Sequence, residues 1–382
     1  MSALQPGEVV RVRLARQQLR APFAGSAADA ARNLLAVQAQ EFPYARWSLA
    51  QRTPDTKAAD VEQLVADGTI LRTHILRPTW HFVHREDLGW LMALSAQRLH
   101  QGNKGMYRQT GVDEDSAARS GAVLAGAVAG GAHKTREELA AVLGQAGFPA
   151  KGLGLVYHLM HAEISRILVS GTPVRSAAGA LKQTYALFEE RVPAPGPPTL
   201  DEAERDHALG RLALRYFGSR GPATVKDCAA WSGLTMKDVK RGLAVAHDLS
   251  PGALHSATID GLEYFLAADA PGTLDAAGAM DLRDPSAPRV DLIQCYDEYV
   301  MGYSQSRHYL GGVAPYIPEN GGPMHVVLLD GRQAGSWRHT FSGGACQLDV
   351  RMNEPTTPPV QSALNAEVQR YGRFLGMEAR LA

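Results

Sequence analysis

The sequence predicts an α+β fold built from three tandem winged helix-turn-helix modules and a β-rich C-terminal part. Three observations carry that expectation. A pattern of two or three helices followed by two short strands recurs three times along the chain. The stretch RVPAPGPPTL at Arg191–Leu200, with four prolines in ten residues, punctuates the chain before the third copy. Beyond a second loose stretch, Ala267–Arg289, strand-like runs and a DG hairpin signal at Asp330–Gly331 take over. The expected modules are residues 1–110, 111–192 and 200–268, followed by a β-rich region at 289–382 closed by a helix from Gln361. A chain of 382 residues is long enough for such an array, since domains average roughly 100–200 residues.

In the first copy Ser26 caps a helix expected over Ala27–Gln40. Helical PYARWSLAQR and AADVEQLVADG follow, then the strand-like runs TILRTHIL and TWHFV, joined at Arg77–Pro78. The second copy opens at KTREELAAVLGQAG, where Thr135 and Glu138 form a capping box. It continues through GLGLVYHLMHAEI to strand-like SRILVSG and QTYALFEE. In the third, AAWSGL makes the turn of a helix-turn-helix, Thr235 caps the second helix, and LHSATIDGLEYFLAAD supplies the wing. Lys237, Lys240 and Arg241 on that second helix are of the types that contact DNA backbone. In the last region RVDLIQCYDEYVMGY, MHVVLLDGRQAGSWRHTF and ACQLDVRM read as strands and hairpins.

Composition, 45% hydrophobic and 20% charged, excludes a disordered chain. No apolar run approaches the roughly 18–20 residues of a membrane span. The N-terminal segment carries charges where a signal peptide needs an apolar core. Three scattered cysteines, Cys228, Cys295 and Cys346, give neither a disulfide frame nor a thiolate zinc site. These features lead us to expect a cytoplasmic protein. Net charge is zero, yet residues 1–52 hold seven Arg against three acids. That imbalance fits a local phosphate-binding face, and equally an arginine-rich composition with no such role.

Several residues are candidates for chemistry. Gln38 and Gln40 stand in AVQAQEFPYARWSLAQR just before Pro43. On a helix, side chains at i and i+2 diverge by about 200°, so the two amides converge only where Pro43 breaks the helix. They are either incidental surface residues or a two-pronged polar site at a helix end. Amides do not titrate usefully; they can hold and orient a water, but only toward a substrate already primed to react. Guanine alkylated at N7 is such a substrate, because it is cationic and departs neutral. On the expected first wing, alternation puts Thr79, His81 and Val83 on one face, with Trp80 and Phe82 on the other as core. His81 is either a half-buried histidine or a residue facing Gln38. His158 and His161 at i, i+3 lack a third ligand and read as core or surface histidines. Asp297 and Glu298 are neighbours facing opposite sides, better suited to binding loop amides or an arginine than to acid–base work. Ser304 in GYSQS lacks the second glycine of a nucleophile elbow, and there is no convincing GxGxxG or Walker sequence.

AVQAQEFPYARWSLAQR, RPTWHFV, YDEYVMGY and DGRQAGSWR, in that order, make the chain resemble the bacterial AlkZ-like family of winged-helix DNA-binding proteins and DNA glycosylases. The resemblance covers nearly the whole chain. Its most specific element is the Gln–apolar–Gln motif, here Gln38-Ala39-Gln40; a sister branch carries Gln-x-Asp. It implies a C-shaped scaffold with double-stranded DNA in a basic cleft, and Gln38 and Gln40 as the catalytic pair orienting water at C1′. It further implies a monofunctional glycosylase for bulky N7-alkylguanines, including interstrand crosslinks. Such an enzyme serves self-resistance to a genotoxic natural product, needs no metal or cofactor, and acts as a monomer at the bacterial nucleoid. The resemblance assigns nothing to Arg46, Arg77 or His81, which are DNA-contact candidates by charge and position. The rival expectation is a non-enzymatic winged-helix transcriptional regulator, and a protein that merely sequesters a genotoxin is a third.

Overall fold

A computed structural model describes residues 6–176, 179–268, 287–311 and 324–382. After α1 (Pro6–Arg16), Ser26 caps α2 (Ala27–Leu34), its hydroxyl accepting the Asp29 N–H at 3.1 Å. The helix expected to reach Gln40 ends at Leu34, because Leu35 takes a φ of +65° and turns the chain away. The segment continues as β1 (Val37–Gln38), then α3 (Phe42–Ala50) and α4 (Ala58–Ala66). Pro43 therefore opens α3 rather than breaking α2, sitting in a first turn where its missing N–H has no helical partner to lose. Strands β2 (Ile70–His74) and β3 (Trp80–His84) complete an antiparallel sheet in the order β1-β3-β2.

Two helices follow for which the sequence reading had no specific expectation, α5 (Arg85–Thr110) and α6 (Glu114–Val128). Then β4 (Lys134–Thr135) leads into α7 (Arg136–Gln145), where Thr135 and Glu138 cap reciprocally, and α8 (Gly152–Ile164). The strands β5 (Leu168–Ser170), β6 (Val174–Arg175), β7 (Leu181–Lys182) and β8 (Thr184–Leu187) end at the short α9 (Phe188–Arg191). Next come α10 (Glu202–Arg220), α11 (Val225–Ser232), and α12 (Met236–Leu249) capped by Thr235, with the hairpin of β9 (Leu254–Ile259) and β10 (Leu262–Ala267). Most of the loose stretch at 267–289 lies outside the described residues.

The C-terminal sheet runs β11 (Val290–Ile293), β12 (His325–Leu329), β13 (Arg332–Ser342), β14 (Ala345–Met352) and β15 (Ala379–Leu381). The YDEYVMGY segment is not strand: it is a turn and the short helix α13 (Glu298–Met301), capped by Asp297, which accepts the Tyr299 N–H at 2.9 Å. The closing helix α14 (Pro358–Leu375) begins three residues before the expected Gln361, with prolines in its first turn. Among the described residues no helix is long and apolar enough to cross a membrane.

The cores join segments distant in sequence. One runs from Leu35 and Leu71 through Val169 to Tyr216 and Trp231; another unites Trp47 and Ala58 with Trp337, Leu364 and Tyr371. Buried ion pairs stitch the same partners together. Arg20 grips Asp291 through two hydrogen bonds of 2.9 and 2.8 Å, and Arg52 grips Asp297 through two of 3.0 and 2.8 Å. Breaking a pair of this kind costs about 3–5 kcal/mol, because the remaining charge is stranded. This corrects the phosphate-face expectation. Of the seven arginines in residues 1–52, Arg13, Arg20, Arg46 and Arg52 are buried, while Arg11 and Arg32 pair with Glu8 and Glu86.

Candidate active site

The ladder of β1 and β3 sets Gln38 directly opposite His81 and Val37 opposite Phe82. Residues opposite one another in an antiparallel pair share a sheet face, so Gln38 and His81 project to the same side. The ladder extends one step further, with the Ala39 N–H donating to the Trp80 carbonyl at 2.7 Å. Gln38 is the last residue of β1, and Gln40 lies two residues on in a bend, so the chain here is extended and then turning, not the helix end expected around Pro43.

Several backbone groups around the two glutamines are anchored. The Gln38 N–H donates to Glu298 Oε1 at 2.8 Å, and its carbonyl accepts from Gln294 Nε2 at 3.2 Å. Glu298, wholly buried, is itself held by Arg220 at 2.6 Å and by the Trp231 indole N–H at 2.7 Å. Arg220 also lies over the Trp231 ring, 4.3 Å from its centroid, and donates to the Ala36 carbonyl at 3.1 Å. From the other side Arg72 donates to the carbonyls of Ala39 at 2.8 Å and Gln40 at 3.3 Å, and stacks on Trp80 at 4.5 Å. Burial pulls the Arg72 pKa down to about 10.

The side chains differ in freedom. Gln38 is buried, and its Oε1 accepts from Arg77 Nη2 at 2.8 Å. Gln40 is exposed, its Oε1 taking only a long 3.4 Å bond from the Trp80 N–H. The same Arg77 nitrogen lies 3.3 Å from His81 Nε2, while His81 Nδ1 lies 2.9 Å from the Thr79 carbonyl. Full burial, and then the Arg77 charge, hold the His81 imidazole far below its usual pKa, so it is neutral at physiological pH. Two leucines with positive φ, Leu35 and Leu76, precede the motif and Arg77. Backbone of that kind costs roughly 1–3 kcal/mol per residue and gathers where geometry is functionally fixed.

Of the residues singled out by sequence, Gln38, Arg77 and His81 form one hydrogen-bonded cluster, and Gln40 accepts from the neighbouring Trp80 N–H. Lys237 and Lys240 lie exposed on α12, and Arg241 beside them pairs with Asp206. The turn into α12 abuts the cluster: Gly233 has φ +69°, and a Cβ there would stand 2.5 Å from the Leu76 carbonyl oxygen, so no other residue fits. Arg46 is a correction. It is buried on α3 against Glu62, which Arg175 also pairs, and it has no free face for a phosphate. Trp80, expected in the core, is half-buried, its indole donating to Glu163 at 3.2 Å. His158 is buried and shares a 2.9 Å hydrogen bond with Ser120. Among the described residues no group of three or more His, Cys, Asp or Glu is placed to hold a metal. The supports that sequence reading missed, Arg72, Arg220, Trp231 and Gln294, lie up to 256 positions from their partners and leave no local signal. Glu298 was noticed, and its bond to Arg220 is of the kind expected for it.

The family model for AlkZ-like DNA glycosylases matches residues 31–374, and the chain belongs to that family. It is accordingly an enzyme, a DNA glycosylase with DNA as its partner, which sets the regulator and sequestration readings aside. Among solved structures, the DNA glycosylase AlkZ of Streptomyces sahachiroi has the same fold, with a TM-score of 0.71, 20% identity and full coverage of both chains. No curated protein sequence matches the chain.

Proposed function

We propose that this glycosylase is monofunctional and excises bulky N7-alkylguanines, interstrand crosslinks among them, with Gln38 and Gln40 as its catalytic pair. The proposal is supported by the Gln-x-Gln sequence itself in a chain of this family, with Gln38 held on β1 by Glu298 and Arg77 and with Gln40, two residues on, exposed. An alkylated guanine carries the charge that makes it leave. As the C1′–N9 bond breaks, its electron pair returns to the purine and neutralises the N7 cation. The sugar passes through an oxocarbenium-like state, which a positioned water captures. Water oxygen bonds to C1′, its proton goes to solvent, and an abasic site remains. Amides too weak to deprotonate a water spare normal nucleosides, so selectivity follows from what the residues cannot do.

An exposed Gln40 also suits a lesion tethered to both strands, which cannot be flipped fully into a deep pocket. On this reading the three helix–helix–strand units act as winged helices around a C-shaped cleft, in a cytoplasmic monomer that protects its bacterium from a genotoxic natural product. Lys237, Lys240 and Arg241 face the phosphates, without metal or cofactor. The test is incubation with duplexes bearing N7-methylguanine or an N7-linked crosslink, followed by hot alkali to cut abasic sites. Strand breaks at the lesion are expected; intact strands on both substrates would overturn the proposal.

A further inference from the structure

We infer that Arg77 and His81 are positioning residues that fix the sense of the Gln38 amide, so that Gln38 offers the attacking water a donor and Gln40 an acceptor. This rests on the excision reading above and assigns the two glutamines different tasks.

The argument begins with what a guanidinium lacks. Arginine has five N–H donors and no acceptor, so the Gln38 atom 2.8 Å from Arg77 Nη2 must be the carbonyl oxygen. Rotating the amide would set N–H against N–H. Arg77 is held to this task at its other end, where Nη1 donates to the Trp231 carbonyl at 2.6 Å. His81 completes the constraint. Its Nδ1 faces the Thr79 carbonyl at 2.9 Å and therefore carries the proton, which leaves Nε2, 3.3 Å from Arg77 Nη2, as an acceptor. One Arg77 nitrogen thus bridges two acceptors, and neither can turn over without losing it. A protonated His81 would face Arg77 with a second positive charge.

What remains of Gln38 is its Nε2. It has no hydrogen-bond partner among the described residues, and it is not one of the fully buried unpaired atoms, so it keeps contact with solvent. A water bound there accepts with one lone pair and must place a hydrogen elsewhere. The exposed Gln40 carbonyl, with its single long bond from Trp80, has a lone pair to receive it. The second lone pair of the water is left for C1′. As the C–O bond forms, the proton pointing at Gln40 is the one released to solvent.

The experiment measures single-turnover excision of N7-methylguanine and duplex affinity for four variants, together with long-range 1H–15N spectra of His81 in the wild-type protein. Gln40→Glu keeps an acceptor where Gln38→Glu offers no donor, so Gln38→Glu is expected to be slower than Gln40→Glu by at least about tenfold. Arg77→Met loses about tenfold in rate with affinity unchanged within about twofold, and Arg77→Lys recovers at least about threefold of that loss. The spectra show His81 protonated at Nδ1. A fully active Gln38→Glu beside an inactive Gln40→Glu would overturn the inference. So would equal losses of rate and affinity in Arg77→Met, the behaviour of a phosphate contact, or a proton on Nε2 of His81. The spectra need no substrate, so they test the His81 constraint even where wild-type protein excises nothing, an outcome that removes the excision reading instead.

Discussion

At Gln38 the backbone N–H goes to Glu298, the carbonyl to Gln294 and the side-chain oxygen to Arg77, and only Nε2 is left for a ligand. These bonds explain how an uncharged side chain can be held still, since moving it breaks a hydrogen bond. Arg46 is the counterexample among the residues chosen from sequence. Its charge suggested DNA, but its surroundings are Glu62 and, 6.0 Å away, the Phe374 ring. Arg46→Ala is therefore expected to lower the melting temperature while leaving duplex affinity within about twofold, because only a buried ion pair is lost. A drop in affinity at constant stability would return Arg46 to the DNA-contact list.

Among the elements, β1 matters most although it is two residues long. Its place opposite β3 sets Gln38 against His81 on one sheet face, a placement that the helix expected over this stretch would not give. Local sequence favours the wrong answer: AADAARNLLAVQAQ carries helix formers almost to its end. The helix stops at Leu34 because the cost of a positive φ at Leu35 is offset by pairing with a strand over forty residues away, information that no local window holds. Elements fixed by local capping were legible, as Thr135 with Glu138 and Thr235 with Asp238 show. Glu298 ties β1 to the C-terminal region, and Glu298→Gln leaves Arg220 buried without a countercharge. A loss of about 3 kcal/mol or more in urea unfolding is expected; a variant as stable as wild type would show that the pair is not what anchors the strand.

At the scale of the whole molecule, buried arginines of the N-terminal segment 1–52 serve as internal fastening to the C-terminal region. This explains why its charge misled a reading based on composition. A pair such as Arg52–Asp297 spans 245 positions, and nothing in either neighbourhood announces it. The same junction contains Glu367, where burial, against the pull of Arg370, pushes the carboxyl up to about 7 from an ordinary 4.5. The folded protein keeps this proton after the unfolded chain has released it, so stability falls as pH rises from about 4.5 to 7. Glu367→Gln removes that slope, and the variant should gain on wild type by roughly 1–3 kcal/mol between pH 5 and pH 8 in denaturant titrations. A difference independent of pH would mean that Glu367 is ionised in the folded protein.

The central claim is that two neutral amides, Gln38 on β1 and Gln40 two residues on, carry out the hydrolysis. Its most direct test is the single-turnover rate of N7-methylguanine excision by Gln40→Ala and Gln38→Ala beside their affinities for the same duplex. The account predicts that Gln40→Ala is slowed at least about tenfold, equivalent to roughly 1.4 kcal/mol of barrier, with affinity held within about twofold. Excision at the wild-type rate, or affinity falling in step with rate, would contradict it.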